Sequence, residues 1–284
     1  MTMTKTPMLT MPAMRIKARA KLNFTLEVLG VREDGYHALR SLVVPISLAD
    51  EISIDKSATL ESDVPYPDDL CLKAARVLGV TGAKISVVKR IPAGGGLGGG
   101  SADAAATMIL LNGLYGLGHT REGLARLAAQ VGSDVPSLVH GGAVLMEGRG
   151  ETVSKWPSMP VFDVVLANPG VASSTKEVYA NCVSRVTSDD EILYTMKIAL
   201  ESGSVEAVAK ALQNDLEASA IGLHPEIAAA KKALLDAGAI GASMSGSGST
   251  VFGLARNGEA ARKIASSLSA GGLSAWAAKT CPFV

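Results

Sequence analysis

The chain has 284 residues, enough for one large domain or two and for a sizeable core. Its 27 Lys and Arg residues balance 27 Asp and Glu residues, so overall charge points to neither nucleic acid nor a membrane surface, and any bound anion must be held locally. No apolar run reaches membrane-spanning length, and three cysteines without a CxxC pair (Cys71, Cys182, Cys281) fit a reduced, cytoplasmic setting better than a disulfide framework or a metal site.

Residues 1–14 carry one Lys and no continuous apolar core, unlike a signal peptide, and are expected to form a flexible tail. Residues 15–30 largely alternate polar and apolar side chains and read as a strand, followed by a turn at Asp34-Gly35. Residues 41–55 read as one or two further strands, with Pro45 marking an edge or a bulge. Residues 68–79 read as a helix behind an acidic cap, with Leu70, Ala74 and Val77 on one face. Residues 83–91 read as a strand, 101–111 as a helix, 121–131 as another helix, 132–142 as a turn with a short helical piece, and AVLMEG as a strand. Two prolines, Pro157 and Pro160, suggest a boundary, giving parts 15–157 and 158–284. Beyond it come a strand (FDVVLANPG), a helix start (STKEVYANC) and helical stretches at EILYTMKIALESG and SVEAVAKALQNDLE. A strong helix follows with Pro225 in its first turn, then a glycine-serine loop leading into a strand (GASMSGSGSTVFGLA), a helix and a last strand. Strands and helices alternate without a repeat, as in a mixed two-part protein.

The most informative stretch is PAGGGLGGGSADAAA, from Pro92 to Ala106. Glycine permits positive φ and close approach of a ligand to backbone N–H groups. Between a strand and a strong helix, this loop places unpaired N–H groups at the positive end of the helix dipole, where an anion, phosphate foremost, is favoured. A linker or a plain turn is the competing reading, but neither needs so many glycines or such a helix behind them. The loop is not a Walker A motif, because Gly100 is followed by Ser101 and Ala102 rather than by Lys. A GxGxxG pattern fits Gly94, Gly96 and Gly99, but the acidic residue due about twenty positions on falls at Glu122, in a helix start, so a dinucleotide-binding reading is minor.

Several stretches in one order, AKLN (20–23), DGYH (34–37), the glycine loop, GSDVP (132–136), NDLE (214–217) and MSGSGST (244–250), resemble the GHMP kinase superfamily over about residues 15–283. Within it they are similar to the branch that phosphorylates a cytidine diphosphate-linked polyol in the non-mevalonate route to isoprenoid precursors. The resemblance implies an α+β, two-domain fold: an N-terminal α/β domain carrying the phosphate loop, a ferredoxin-like C-terminal domain, and a cleft between them. It implies ATP as co-substrate with Mg²⁺, a small-molecule substrate bearing a cytidine diphosphate group, and a monomer or weak homodimer without nucleic-acid or membrane partners. No metal ligands are assigned.

By the same resemblance, Lys89, Pro92, Ala93, Gly94, Gly95, Gly96, Leu97, Gly98, Gly99, Gly100, Ser101 and Ala102 hold the nucleotide. Asp134 acts as base on the acceptor hydroxyl, with Lys21 as its electrostatic partner. Asn23, Tyr36, His37, Thr175 and Tyr179 take the substrate, Tyr36 and Tyr179 sandwiching its cytosine. From the residues alone, Asp134 reads equally well as a plain N-cap, and Lys21 as one more solvated residue of the alternating face Arg15, Lys17, Arg19, Lys21. Tyr36 and His37 read also as surface turn residues, and the 246–248 loop either lines the substrate side rather than a second nucleotide or is a strand-entry turn. The chain departs from the family pattern at Asp69-Leu70, where Asn-Leu is usual near the adenosine; an ionised Asp69 accepts hydrogen bonds but donates none. The alternatives are another GHMP kinase acting on homoserine, mevalonate or a sugar, and a non-catalytic nucleotide-binding protein.

Overall fold

The structure is a computed structural model and describes residues 14–183 and 190–283; the expected tail lies outside the described residues except for Met14. β1 (Met14–Val31) pairs antiparallel with β2 (His37–Asp55) around the Asp34-Gly35 turn, in which Asp34 accepts the Tyr36 N–H at 3.1 Å. β2 is one strand. Its register against β1 slips where Arg19 faces Ala49 but Lys21 faces Pro45, so the proline occupies an irregularity that needs no donor from it.

Next come β3 (Leu60–Ser62), α1 (Leu70–Val77), β4 (Ala83–Val88) and α2 (Gly99–Tyr115). The first part closes with α3 (Arg121–Ala128), α4 (Val135–His140), β5 (Val144–Gly148) and β6 (Thr152–Lys155). Side-chain caps start the helices where the sequence suggests. Asp69 accepts the N–H groups of Cys71 and Leu72 ahead of α1, and Thr120 accepts that of Gly123 in α3. β2 divides its length between two neighbours: Leu39–Val43 pairs with β5 and Glu51–Asp55 with β4.

The second part contains β7 (Asp163–Asn168), α5 (Thr175–Ala180), α6 (Glu191–Ser202), α7 (Val205–Ala211), β8 (Gln213–Asn214), α8 (Glu217–Leu223) and α9 (Glu226–Asp236). It ends with β9 (Gly241–Met244), β10 (Val251–Ala255), α10 (Gly258–Ala270) and β11 (Ser274–Lys279). Its sheet runs β11-β7-β10-β9, antiparallel throughout, with α9 and α10 as the crossovers; this is the ferredoxin-like arrangement.

The helical reading of 204–217 is corrected. α7 stops at Ala211, Leu212 is extended, and Gln213 and Asn214 pair parallel with Thr25 and Leu26 of β1. A long-range pairing overrides local helix propensity there. β3, β6 and β9 are too short or too glycine-rich to signal themselves; Pro225 stands at the start of α9 with helical φ and ψ, its carbonyl accepting the Ala229 N–H at 3.3 Å.

The two sheets share a core. Ala18, Ala20, Leu22, Phe24, Leu26 and Val28, one face of β1, are all buried. The Phe24 ring stacks on Phe252 of β10 at 5.8 Å and meets Phe162 at 6.3 Å, joining the first sheet to the second. Phe24→Ala is expected to cost about 3–5 kcal/mol of stability by cavity formation; chemical denaturation checks it, and a loss below about 1 kcal/mol would contradict this role.

Candidate active site

The glycine loop runs from the end of β4 to α2. Gly98, the N-cap residue of α2, has φ of +69° and offers no side-chain cap. The first helical bond is Ala102 N–H to Gly98 C=O at 2.8 Å, so the preceding N–H groups are available to a ligand. Gly96 combines a φ of +72° with an approach to the Ser245 carbonyl so close that a Cβ would collide with it. The Ser245 hydroxyl donates to the Gly96 carbonyl at 3.0 Å, and Thr250 N–H donates to the Gly95 carbonyl at 3.2 Å. The second glycine-serine loop is therefore both a turn and the backing of the first.

These loops border a cleft of about 910 Å³. Lys21, Asn23, Tyr36, His37, Lys89, Asp134, Thr175 and Tyr179 line it, as does the whole loop from Pro92 to Ser101. Ala102 does not; its side chain is buried in the core behind β1.

Lys21 overturns its bland reading. It is only 2% exposed, because the alternation of β1 fails midway: Arg15 and Lys17 face solvent, whereas the two glycine loops cover the same face from Lys21 onward. Its Nζ donates to Asn23 Oδ1 at 2.7 Å and lies 3.5 Å from Asp134 Oδ2. Asn23 Nδ2 donates in turn to the Ser41 hydroxyl at 2.7 Å, fixing the amide's orientation. Asp134 stands in the N-cap position of α4, with Pro136 just inside the helix, yet its side chain makes no capping bond. Its carboxylate is turned to the cleft instead, and a plain N-cap role does not account for it.

Lys89 lines the cleft with its charge already engaged. Its Nζ lies 2.5 Å from Asp50 Oδ2 and 2.6 Å from Asp103 Oδ2. Asp50 is fully buried and also accepts the N–H groups of Arg90 and Ile91, which fixes the approach to the loop. Burial pushes the Asp103 carboxyl up, to about 7; Asp50 adds to this and Lys89 opposes it. Asp69 needs only to accept in order to cap α1, which an aspartate does as well as an asparagine.

Also on the cleft wall, Tyr179 meets the His37 ring at 5.1 Å, so its ring partner is His37 rather than Tyr36. Burial pushes its phenol up, with nearby Asp134 adding to the effect. Tyr36 is 55% exposed and carries the Arg149 guanidinium over its ring at 5.0 Å. Thr175 opens α5, and its hydroxyl lies 2.8 Å from that of Ser247. Arg149 also lines the cleft and was missed from the sequence. Its turn is held by Glu151, which accepts the Arg149 N–H at 2.6 Å and pairs with Arg32 at 3.0 Å. GRGE carries no motif of its own; only the fold brings it to Tyr36.

The sequence and the fold that carry this cleft have counterparts among known proteins. Residues 69–142 match the GHMP kinases N terminal domain, and residues 196–272 match the GHMP kinases C terminal domain. The chain belongs to the GHMP kinases. A 4-diphosphocytidyl-2-C-methyl-D-erythritol kinase of Pelobacter propionicus is 42% identical over 88% of this chain and 92% of its own length. One of Moorella thermoacetica is 42% identical over 91% and 95%. A crystal structure of 4-(cytidine 5'-diphospho)-2C-methyl-D-erythritol kinase is 35% identical, with a TM-score of 0.82 over 94% of this chain and 99% of that one. Within the GHMP kinases, the chain is thus a member of the 4-diphosphocytidyl-2-C-methyl-D-erythritol kinase family. A homoserine kinase from Cytophaga hutchinsonii, 21% identical with a TM-score of 0.72, shares the fold.

The Asp103 carboxyl holds its proton more tightly in the folded chain than in the unfolded one. Its contribution to stability is complete below about pH 4, the ordinary carboxyl range, and is lost as pH rises to about 7. The raised Lys89 titrates far above this window. Asp103→Asn should flatten the fall in stability across the acid-to-neutral range; melting temperatures over that range check this, and an unchanged slope would contradict it.

Proposed function

We propose that the chain transfers the γ-phosphoryl group of ATP to the 2-hydroxyl of 4-diphosphocytidyl-2-C-methyl-D-erythritol, with Asp134 as base and Lys21 as its partner. One observation carries the reading: the Asp134 carboxylate stands at a helix start without capping it, faces the buried Lys21 at 3.5 Å, and opens on the same cleft as the uncapped start of α2. Phosphoryl transfer asks mainly for positioning and charge stabilisation. The N–H groups at the start of α2 receive the ATP phosphates, with the Ser101 hydroxyl beside them. Asp134 accepts the proton of the acceptor hydroxyl as that oxygen attacks the γ-phosphorus and ADP departs. Lys21 holds Asp134 in place and balances the charge that builds up on the transferring group.

Mg²⁺ accompanies ATP in this reading. No cluster of three acidic, His or Cys side chains capable of holding a metal exists among the described residues. Ser101 and Asp134 are among the oxygen donors that line the cleft with the loop, and they would suit an ion that takes most of its ligands from phosphates and water. Bound there, it would screen the charge of the phosphates.

The substrate's nucleobase fits the end formed by Tyr36, His37 and Tyr179. For cytosine to enter between Tyr36 and Tyr179, it must displace either the His37 contact or the Arg149 contact. The diphosphate then spans from the base to Asp134. Arg149 stands along that span: it lies over Tyr36, and the next residue, Gly150, packs against the Ser133 carbonyl. Its guanidinium suits a diphosphate.

ADP release from MgATP, measured with the cytidyl substrate and with homoserine, mevalonate and galactose, tests the reading. Release with the cytidyl substrate alone is expected; release with a control alone would discard the substrate assignment. Asp134→Asn should lower kcat by about a hundredfold to ten-thousandfold while ATP still binds; near-normal turnover would remove Asp134 as base. Tyr179→Ala should raise KM for the cytidyl substrate and leave that for ATP unchanged, whereas equal losses for both would sink the nucleobase assignment.

A further inference from the structure

The NDLE stretch lines no part of the cleft, yet it holds both of the cleft's glycine loops in place. Asn214 is buried on β8, paired beside Leu26 on the strand that carries Lys21 and Asn23. Its Nδ2 donates to two carbonyls of the second glycine-serine loop, Met244 and Gly246, each at 2.8 Å, while its Oδ1 accepts the Leu216 N–H at 2.9 Å. Every hydrogen-bonding group of the amide is used. Asp215 accepts the Val28 N–H at 3.0 Å, and Glu217 accepts the Met244 N–H at 3.0 Å, so the stretch grips β1 on one side and the end of β9 on the other. The held loop touches the reacting groups. A Cβ on Gly246 would lie 2.9 Å from Lys21 Nζ and 3.5 Å from Asn23 Oδ1, and Ser245 carries the bond to Gly96.

We infer that Asn214 is a positioning residue for phosphoryl transfer: its two donated bonds set the 245–248 loop against Gly96 and Lys21, so that the phosphate loop and the lysine keep their working geometry. The inference rests on the proposed nucleotide role of the glycine loop. No local signal conveys it, because Asn214 acts on residues more than a hundred positions upstream, through a loop that itself follows it in the chain.

Asn214→Asp isolates the effect. It keeps the size of the side chain and the acceptor for Leu216, but loses both donors and turns a carboxylate toward two carbonyls. ADP affinity by calorimetry and full kinetics are measured for the wild type, for Asn214→Asp, and for Ile264→Ala as a stability control in the core beneath α10. In Asn214→Asp, ADP affinity should weaken and KM for ATP should rise about tenfold, and kcat should fall at least tenfold, with KM for the cytidyl substrate within twofold. Ile264→Ala should lower the melting temperature and leave these constants alone. A folded Asn214→Asp that binds ADP and turns over within twofold of wild type, or that merely behaves like Ile264→Ala, overturns the inference. Should Asn214→Asp not fold, Ser245→Ala, which cuts the hydroxyl link to Gly96, must weaken ADP binding; unchanged binding overturns it equally. Wild-type protein that binds no ADP would remove the nucleotide reading, and this inference with it. Wild type that binds ADP alongside an unaffected variant removes the inference alone.

Discussion

A lysine ammonium withdrawn from water must be met by oxygen atoms, and much of this structure is arranged around meeting Lys21. The β1–β2 register slips on both sides of it, between Arg19 and Lys21 and again between Asn23 and Thr25, which turns the short stretch Lys21–Asn23 away from the regular pleat. Asn23 supplies one oxygen and Asp134 the other. Two glycines pack closely on it: a Cβ on Gly98 would lie 3.1 Å from Lys21 Cγ, one on Gly246 would fall 2.9 Å from its Nζ, and both positions have a positive φ that favours glycine. The two glycine loops thus answer to one side chain.

A second buried charge cluster holds the approach to the first glycine loop. Asp50 and Asp103 share the single Lys89 ammonium, and Asp50 also takes the N–H groups of Arg90 and Ile91. A third joins β1 to β2, where buried Arg40 forks onto Glu27. Each joins strand to strand or strand to helix, so the rim of the cleft is fixed by ionic and polar contacts, while the apolar stack of Phe24 and Phe252 closes the core beneath it. Uncompensated charge at any of the three would be costly, which limits how far the loops can wander.

The parts of this arrangement that were legible in the sequence are those set by neighbouring residues. The glycine run before an alanine-rich helix, the Asp34-Gly35 turn, the acidic cap of α1 and the mixture of strands and helices in the last part follow from local chemistry, whereas β9, and with it the full βαββαβ order, does not. Lys21 was different. Its residue type and its spacing matched a solvated face, and only loops more than seventy residues away bury it. Asp134 looked equally like a cap, and only the geometry of its side chain separates the two roles. β8 was hidden in a helical pattern because two residues carry no period of their own, and Arg149 belongs to a turn whose importance comes from the ring beneath it. The motif resemblance singled out Lys21 and Asp134, included Asn214 in the NDLE stretch without giving it a role, and left Arg149 untouched.

The pairing of β8 with β1 bears on how the protein is made. A ribosome delivers Lys21 and the phosphate loop early, but Asn214, Ser245 and Thr250 late, and Ser245 bonds to a partner 149 residues before it in sequence. Until those late residues emerge, a nascent chain has the glycine run without its backing and a buried-type lysine without its cover. Contacts of such sequence separation form slowly and leave the early half exposed meanwhile. The glycine run therefore takes up its final shape only at the last stage of biogenesis, when the backing loop has arrived.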